Sequence, residues 1–328
     1  MPAAALETLR DDLIALVGDE RVRANAPLAP LTTFKVGGPA DLLVEPKSGD
    51  DLVRALQAAT VRGVPITMLG GGSNVLVGDG GIRGLVVRPR GGVIVQEAPD
   101  RVRADAAVTI NALVRWTVGR GLAGLEAWAG TPGTVGGGVY GNAHWGGRLL
   151  SDVLHSVRLW SAPAGVFDVD PTAMDFGYDR SRLQQTGEVL VSAAFVVNPG
   201  EPALLREIAR RSLAYRKRTQ PLHVPSAGCI FQNPAPDEPL PDGMPRSAGA
   251  LVDRAGLKGA RIGGAEVSPT HGNFIVNGGT ASARDIRTLV ERCRQAVEAR
   301  FHVHLRDEIV YLGEFLNEQE SAGVHTAD

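Results

Sequence analysis

Two glycine-rich clusters, Gly70-Gly71-Gly72-Ser73-Asn74 and Gly130-Thr131-Pro132-Gly133-Thr134-Val135-Gly136-Gly137-Gly138, restrict what this chain can fold into more than any other feature. Glycine is abundant, 41 of 328 residues, and it falls in ordered clusters between apolar runs rather than in a repeat. That distribution points to backbone lying close to a ligand, not to disorder. Bare backbone N–H groups can come near an anion, so glycine clusters after strands most often bind phosphate. One cluster alone could simply be a tight turn. Two of them, each with Ser, Thr or Asn interleaved as side-chain donors, favour a cradle for a pyrophosphate. Neither ends in Gly-Lys-Ser/Thr, which argues against a P-loop and the ATP or GTP hydrolysis it serves. The first is followed by Val75-Leu76-Val77-Gly78, a strand or turn pattern, whereas a Rossmann fingerprint opens a helix.

The surrounding sequence reads as mixed α and β structure. Asp41 to Pro46 is a strand closed by proline, Ser48 to Arg62 a helix with Leu52, Val53, Leu56 and Ala59 at helical spacing, and Pro65 to Leu69 a strand entering the first cluster. Gly84 to Val87 is a further strand. From about residue 91 short β runs take over, at 93–95, 102–104, 157–159 and 189–196, with a helix opening at Thr109-Ile110-Asn111 and another over 201–218. A third region begins near Thr219. It holds a helix over 247–255, a strand at 274–276, a long helix from Ala281 whose Ile286, Leu289, Val290, Cys293 and Val297 form one stripe, and a last strand over 308–312. The polar tail after Phe315 is expected to fray.

Composition narrows the function classes. The net charge of −2 advertises neither a nucleic-acid nor an acidic-membrane partner. The first residues read as an amphipathic helix with acids in its apolar run, unlike a signal peptide. No apolar run approaches the ~18 residues of a membrane span. The two cysteines, Cys229 and Cys293, have no CxxC or Cys/His ligand spacing, so a reducing, cytoplasmic setting is expected.

With these motifs in view, Leu69 to Leu76 and Ala129 to Gly137 resemble the UDP-N-acetylenolpyruvoylglucosamine reductase family of flavoenzymes. The resemblance continues through Asn25-Ala26-Pro27-Leu28, Thr32 to Ala40, Gly228-Cys229-Ile230-Phe231-Gln232-Asn233-Pro234, Ala248-Gly249, His271-Gly272-Asn273-Phe274 and Asp307-Glu308-Ile309, roughly residues 25 to 313 in all. The run from Arg180 to Cys229 is too short for the inserted loop of one subgroup, so the chain is similar to the shorter, type II form. The resemblance implies an α/β to α+β architecture. Two subdomains form an FAD-binding fold of the vanillyl-alcohol-oxidase/p-cresol-methylhydroxylase type, at 1–88 (joined by a C-terminal strand at 306–318) and 89–218, and 219–305 forms a C-terminal α/β substrate-binding domain. It also implies non-covalent FAD, NADPH as co-substrate and UDP-N-acetylglucosamine enolpyruvate as substrate. No nucleic acid, membrane or metal is expected, and a monomer is.

The implied cofactor ligands are Gly70, Gly71, Gly72, Ser73, Asn74, Gly130, Thr131, Pro132, Gly133, Thr134, Gly136 and Gly137. The implied reaction has two halves, reduction of the flavin by NADPH and delivery of a hydride to C3 of the enolpyruvyl group. The second half leaves negative charge at C2 and the carboxylate, which must be stabilised and protonated. The family places a serine, an arginine and a glutamate there. Cys229 stands at the serine position, and a thiol, with a pKa of about 8.5, gives up a proton far more readily than an alcohol. Cys293, on an apolar helical stripe, reads as structural. Glu308 aligns with the glutamate, and its neighbour Asp307 reads as a salt-bridge partner.

The family's Phe-Gly-Tyr-Arg pattern is broken here, because Phe176-Gly177-Tyr178-Asp179-Arg180-Ser181-Arg182 puts Asp179 at the arginine position. Arg180 is the nominated arginine and Arg182 the reserve, although one step along a strand reverses a side chain unless a bulge or turn restores its aim. A second departure is His144, where the family has a small residue. Substrate contacts implied by the resemblance are Tyr178, Arg216, Lys217, Gln232, Asn233, His271 and Asn273. His302 and His304 lack a third ligand at metal spacing and read as surface histidines. Two competing functions are a flavin oxidase of the same fold acting on a small alcohol or sugar acid, and a non-catalytic nucleotide-sugar binder. The Cys229 motif and Glu308 argue against the oxidase, and flavin colour would exclude the binder.

Overall fold

The computed structural model describes residues 3–315, so the polar tail after Phe315 and the end of the 306–318 segment lie outside the described residues. Residues up to Asn25, Leu42–Gly71 and Gly84–Arg216 form one compact unit; Ala26–Asp41, Gly72–Arg83 and the chain from Lys217 onward form a second.

In the first unit the helix Gly49–Val61 starts at Ser48, whose hydroxyl accepts the Asp51 N–H at 3.0 Å. It buries Leu52, Ala55, Leu56 and Ala59, one helical face. The chain then returns as the strand Ile66–Met68, parallel to its neighbour with Ile66 opposite Leu85 and Met68 opposite Val87. Leu9 and Leu13 of the helix Ala3–Val17 share this core with Trp160 and Val191. Each fully buried leucine there contributes about 1.5–3 kcal/mol.

The same unit contains a five-stranded antiparallel sheet, ordered Gly165–Val169, Leu154–Ser161, Val189–Val196, Arg101–Asp105, Ile94–Ala98. Its central strand, Val189–Val196, is buried at every position but the last, which is why it reads as an unbroken apolar run rather than an alternating one. The helices Ile110–Gly119 and Val135–Tyr140 supply Leu113, Val114, Val135 and Val139 to the core beside Trp128 and Phe195.

The second unit is built on the helix Ala283–Phe301, whose stripe of Ile286, Leu289, Val290, Cys293 and Val297 is at most 1% exposed. It packs with the helix Ala248–Arg254 and a three-stranded antiparallel sheet, Arg261–Ile262, Ala265–Val267 and Ile275–Asn277. The long helix is capped twice. Ser282 and Asp285 form a capping box, and the Asp79 carboxylate accepts the N–H groups of Ala283 and Arg284 at 2.8 and 3.0 Å. The last strand, Val310–Leu312, pairs in parallel with Val75–Val77, directly after the first glycine cluster.

Candidate functional site

Gly70 and Gly71 of the first cluster meet the second cluster within the first unit, backbone to backbone. A Cβ on Gly71 would lie 2.9 Å from Gly133 Cα, and one on Gly70 would lie 2.8 Å from Thr134 Oγ1, so neither position has room for a side chain. The second cluster is stitched to the segment leading into the helix Ile110–Gly119. Ile110 N–H donates to Gly133 O at 3.1 Å, Val135 N–H to Val108 O at 2.8 Å, and Gly136 N–H to Ala106 O at 2.9 Å. Asn111 adds a clamp: its Oδ1 accepts Gly130 N–H at 2.7 Å and its Nδ2 donates to Thr131 O at 3.1 Å.

Between these loops lies a cavity of about 320 Å³ lined by Gly70, Gly71, Gly91, Gly92, Thr109 and Thr134, among others, with Arg90 on its wall. Bare glycine backbone, two threonine hydroxyls and a guanidinium suit a dinucleotide pyrophosphate. Its size falls in the range of cofactor sites, about 300–1,000 Å³. The lining offers no His, Cys or Tyr to form a flavin bond. The donor set therefore fits FAD. Sequence reading missed Arg90, Gly91, Gly92, Thr109 and Asn111. The Gly91-Gly92 doublet, with both residues at left-handed φ (74° and 90°), was the available signal.

Arg216 belongs to this loop as well. It is 5% exposed, its Nη2 donates to Thr131 Oγ1 at 2.7 Å, and its guanidinium lies 3.5 Å from the centre of the Trp145 ring. Nominated for the substrate diphosphate, it is bonded here to Thr131 of the second glycine cluster. Lys217, one residue on, is exposed.

In the second unit the segment carrying Cys229 pairs with the segment carrying Glu308. Glu308 N–H donates to Ile230 O at 2.8 Å, Gln232 N–H to Arg306 O at 2.9 Å, and Phe231 forms a bridge with Asp307. The first glycine cluster joins the same construction: Asn74 Nδ2 donates to Glu308 O at 3.0 Å, and Val310 N–H donates to Asn74 O at 3.0 Å. Gly72 closes the loop at φ 65°, its carbonyl accepting Thr33 N–H at 2.9 Å. Cys229 and Glu308 are both half-buried. Asp307 is held by Arg294 at 2.6 Å, and burial pushes its carboxyl above the usual range against the pull of that guanidinium. Cys293 is 1% exposed and burial pushes its thiol up to about 12, the behaviour of a structural cysteine.

Asn273 and His271 brace the Cys229 loop. Asn273 is 2% exposed; its Oδ1 accepts Phe231 N–H at 2.9 Å, its Nδ2 donates to Phe231 O at 2.7 Å, and its carbonyl accepts Ile230 N–H at 2.9 Å. His271 Nδ1 accepts Asn273 N–H at 3.2 Å, and burial lowers the pKa of its ring. Asn273 thus spends its amide on the backbone. Asn233 is exposed, with Oδ1 accepting Ala248 N–H at 3.0 Å, and Gln232 is half-buried.

The segment 176–182 is not a strand. Gly177 and Arg180 exchange backbone hydrogen bonds at 3.0 and 3.3 Å across a tight turn, with Tyr178 and Asp179 at its corners and Asp179 at φ 53°. The nominated Arg180 points to the surface, its side chain 53% exposed and paired with the exposed Asp175 at 3.1 Å. Arg182 is held by Glu188 through two bonds of 2.8 Å. Asp179 pairs with His144, Oδ1 to Nδ1, at 3.0 Å. His302 and His304 are exposed on the stretch after the long helix, which is not a regular strand.

Comparison with known proteins agrees with these features. Residues 220–312 match the family model described as UDP-N-acetylenolpyruvoylglucosamine reductase, C-terminal domain, and residues 40–169 match the FAD binding domain. The UDP-N-acetylenolpyruvoylglucosamine reductase of Synechococcus sp. (strain JA-3-3Ab) is 41% identical over 299 residues, 90% of this chain and 92% of that protein. The protein of the same name from Anaeromyxobacter dehalogenans (strain 2CP-1) is 40% identical over 319 residues, 95% of this chain and 91% of that one. The crystal structure of UDP-N-acetylenolpyruvylglucosamine reductase from Thermus caldophilus superposes with a TM-score of 0.75 at 33% identity, over 89% of this chain and 99% of that one.

Proposed function

The chain belongs to the UDP-N-acetylenolpyruvoylglucosamine reductase family, and on that premise we propose how its own residues divide the work of the reaction. The protein is an NADPH-dependent flavoenzyme that reduces UDP-N-acetylglucosamine enolpyruvate to UDP-N-acetylmuramate, a step of peptidoglycan synthesis. FAD, when bound, supplies the two-electron carrier between NADPH and the enolpyruvyl group. Gly70, Gly71, Gly130, Thr131, Gly133 and Thr134, with Arg90, Thr109 and the bracing Asn111 and Arg216, would hold it without a covalent bond. Ser73, Asn74 and the chain's other implied cofactor ligands, Gly72, Pro132, Gly136 and Gly137, shape the same loops.

A hydride arriving at C3 leaves an electron pair at C2, shared with the carboxylate. Cys229 supplies the proton: its S–H bond breaks, a C2–H bond forms, and the thiolate recovers a proton from solvent. Glu308, on the segment whose backbone pairs with the Cys229 loop, acts in the same half-reaction. Tyr178, Lys217, Gln232 and Asn233 are the side chains proposed to meet the UDP-sugar, and residues 219–305 form the substrate-binding part. No helix among the described residues is long and apolar enough to cross a membrane. The reading places the enzyme in the cytoplasm as a monomer, which gel filtration of the holoprotein checks.

The observation that carries this reading is the hydrogen bond from Glu308 N–H to Ile230 O, which pairs the backbone of the Glu308 segment with that of the Cys229 loop from a distant part of the chain. The test is stopped-flow spectroscopy of the two half-reactions. In Cys229→Ala, NADPH should bleach the flavin at the wild-type rate while recovery of colour with the UDP-sugar slows about 10²–10⁴-fold, the usual worth of a general acid. Cys229→Ser keeps a proton donor and should lose less. Colour recovery at the wild-type rate in Cys229→Ala, or in Glu308→Gln, would refute the corresponding assignment.

A further inference from the structure

The two departures from the family pattern, His144 and Asp179, touch each other. They lie 35 residues apart in sequence and meet Nδ1 to Oδ1 at 3.0 Å. The Asp179 side chain is 10% exposed, and its Oδ2 is buried with no hydrogen-bond partner. A carboxylate in that state is costly to maintain unless a cation or a ligand compensates it. Asp179 also holds a left-handed φ of 53°, a conformation that Asp tolerates better than most residues and that still costs free energy.

The dyad is built rather than incidental. Asn142, fully buried, donates from Nδ2 to Gly177 O at 2.8 Å and accepts Ser151 N–H at 2.9 Å. Ser181 Oγ donates to Tyr140 O at 2.7 Å, and Gln184 Nε2 donates to Asp179 O at 2.9 Å. These bonds fasten the Gly177–Arg180 turn to the end of the helix Val135–Tyr140, which grows directly out of the second glycine cluster. On the other side Trp145, adjacent to His144, stacks on Arg216, itself bonded to Thr131 of that cluster. The His144 ring lies 4.6 Å from the Tyr178 ring, so its plane is fixed from two directions. With Nδ1 paired to Asp179, Nε2 is the second polar atom of the ring.

We propose that His144, held by Asp179, is the group that donates a hydrogen bond to the enolpyruvyl carboxylate as charge builds there, and so does the work of the missing arginine. That role needs N–H on both ring nitrogens, one donating to Asp179 and one to the substrate. Donors aimed at developing charge are worth about 10²–10³ in rate. His144 is thereby a catalytic residue and Asp179 a positioning residue. The inference rests on the reductase reading given above.

Four variants test it: His144→Ala, Asp179→Asn, Arg180→Ala, and the double exchange His144→Ser with Asp179→Arg, which restores a small residue and a guanidinium at their family positions. In the holoenzyme, NADPH should bleach the flavin equally in all. Colour recovery with the UDP-sugar should slow about 10²-fold in His144→Ala and less in Asp179→Asn, which keeps an acceptor for Nδ1 without its charge. The double exchange should recover most of the rate. A second readout separates binding from chemistry: His144→Ala should weaken calorimetric binding of the UDP-sugar but leave that of UDP, which has no enolpyruvyl carboxylate, unchanged. Wild-type colour recovery in His144→Ala, or a loss confined to Arg180→Ala, overturns the assignment. If the double exchange fails to fold, the contrast between His144→Ala and Asp179→Asn decides. Wild-type flavin that NADPH bleaches but the UDP-sugar never restores refutes the reductase reading itself.

Discussion

Asn273→Ala is the substitution whose cost the structure specifies most closely. The side chain is 2% exposed and makes two hydrogen bonds, 2.9 and 2.7 Å, to the N–H and C=O of Phe231, which is itself 1% exposed. Alanine would leave both backbone groups buried and unpaired, at about 1–3 kcal/mol each, so the second unit should lose about 2–6 kcal/mol of stability. With a urea slope of about 2 kcal/mol per molar, the midpoint should fall by about 1–3 M. Unfolding is best followed by circular dichroism, because Trp116, Trp128, Trp145 and Trp160, all the tryptophans of the chain, belong to the other unit. Loosening Phe231 also frees Cys229 two residues earlier, so colour recovery with the UDP-sugar should slow while NADPH reduction does not. A substrate ligand would behave differently, raising KM at unchanged stability. A midpoint within about 0.2 M of wild type together with a raised KM would refute the positioning role.

Gly71→Ala should yield protein with little bound flavin, because its Cβ would meet Gly133 Cα at 2.9 Å and force the loops apart; Gly119→Ala, with open space around it, is the control, read as visible absorbance per protein. Asn111→Ala removes both clamps on Gly130 and Thr131 and should weaken FAD binding several-fold in titrations of the apoprotein. His271, whose folded pKa is lowered chiefly by burial and further by Lys258, contributes stability that is complete above the ordinary imidazole pKa of about 6.5 and is lost as pH falls through the lower folded value. Thermal midpoints measured from pH 7 to pH 5 should therefore drop in wild type, and His271→Asn, whose Oδ1 can accept the Asn273 N–H in place of Nδ1, should flatten that fall.

Much of the fold could be read from local pattern. The stripe of Ile286, Leu289, Val290, Cys293 and Val297 is buried as its spacing required, and Ser48 caps the helix it precedes. These features depend on residues a few positions apart, where helical geometry alone decides which face is apolar. Whether 176–182 was strand or turn stayed open in the sequence; the turn holds Asp179 at φ 53°, a conformation that Asp tolerates without any marker beside it. The bracing roles were invisible for another reason. Asn111 and Asp79 are ordinary polar residues whose partners lie 19 and 204 positions away, so nothing beside them in the sequence marks their work, and Asn273, legible as a motif residue, braces Phe231 42 positions away.

The site divides along the same line. Glycines announce themselves because only they fit where backbone meets backbone, as Gly71 and Gly133 do. Cys229 and Glu308 were nominated from their motifs, and the hydrogen bond from Glu308 N–H to Ile230 O joins the two segments that carry them. His144 and Asp179 show the opposite case. Taken singly, each is a defect: an arginine replaced by the opposite charge, and a small residue replaced by a large one. Restoring either alone would fail, since arginine at position 179 would face an imidazole instead of open space, and a small residue at 144 would leave a buried carboxylate unpaired. Two changes that are each unfavourable alone and compatible together can persist only as a pair, which is why the role of the missing arginine is to be sought at 144 and not at the neighbouring Arg180.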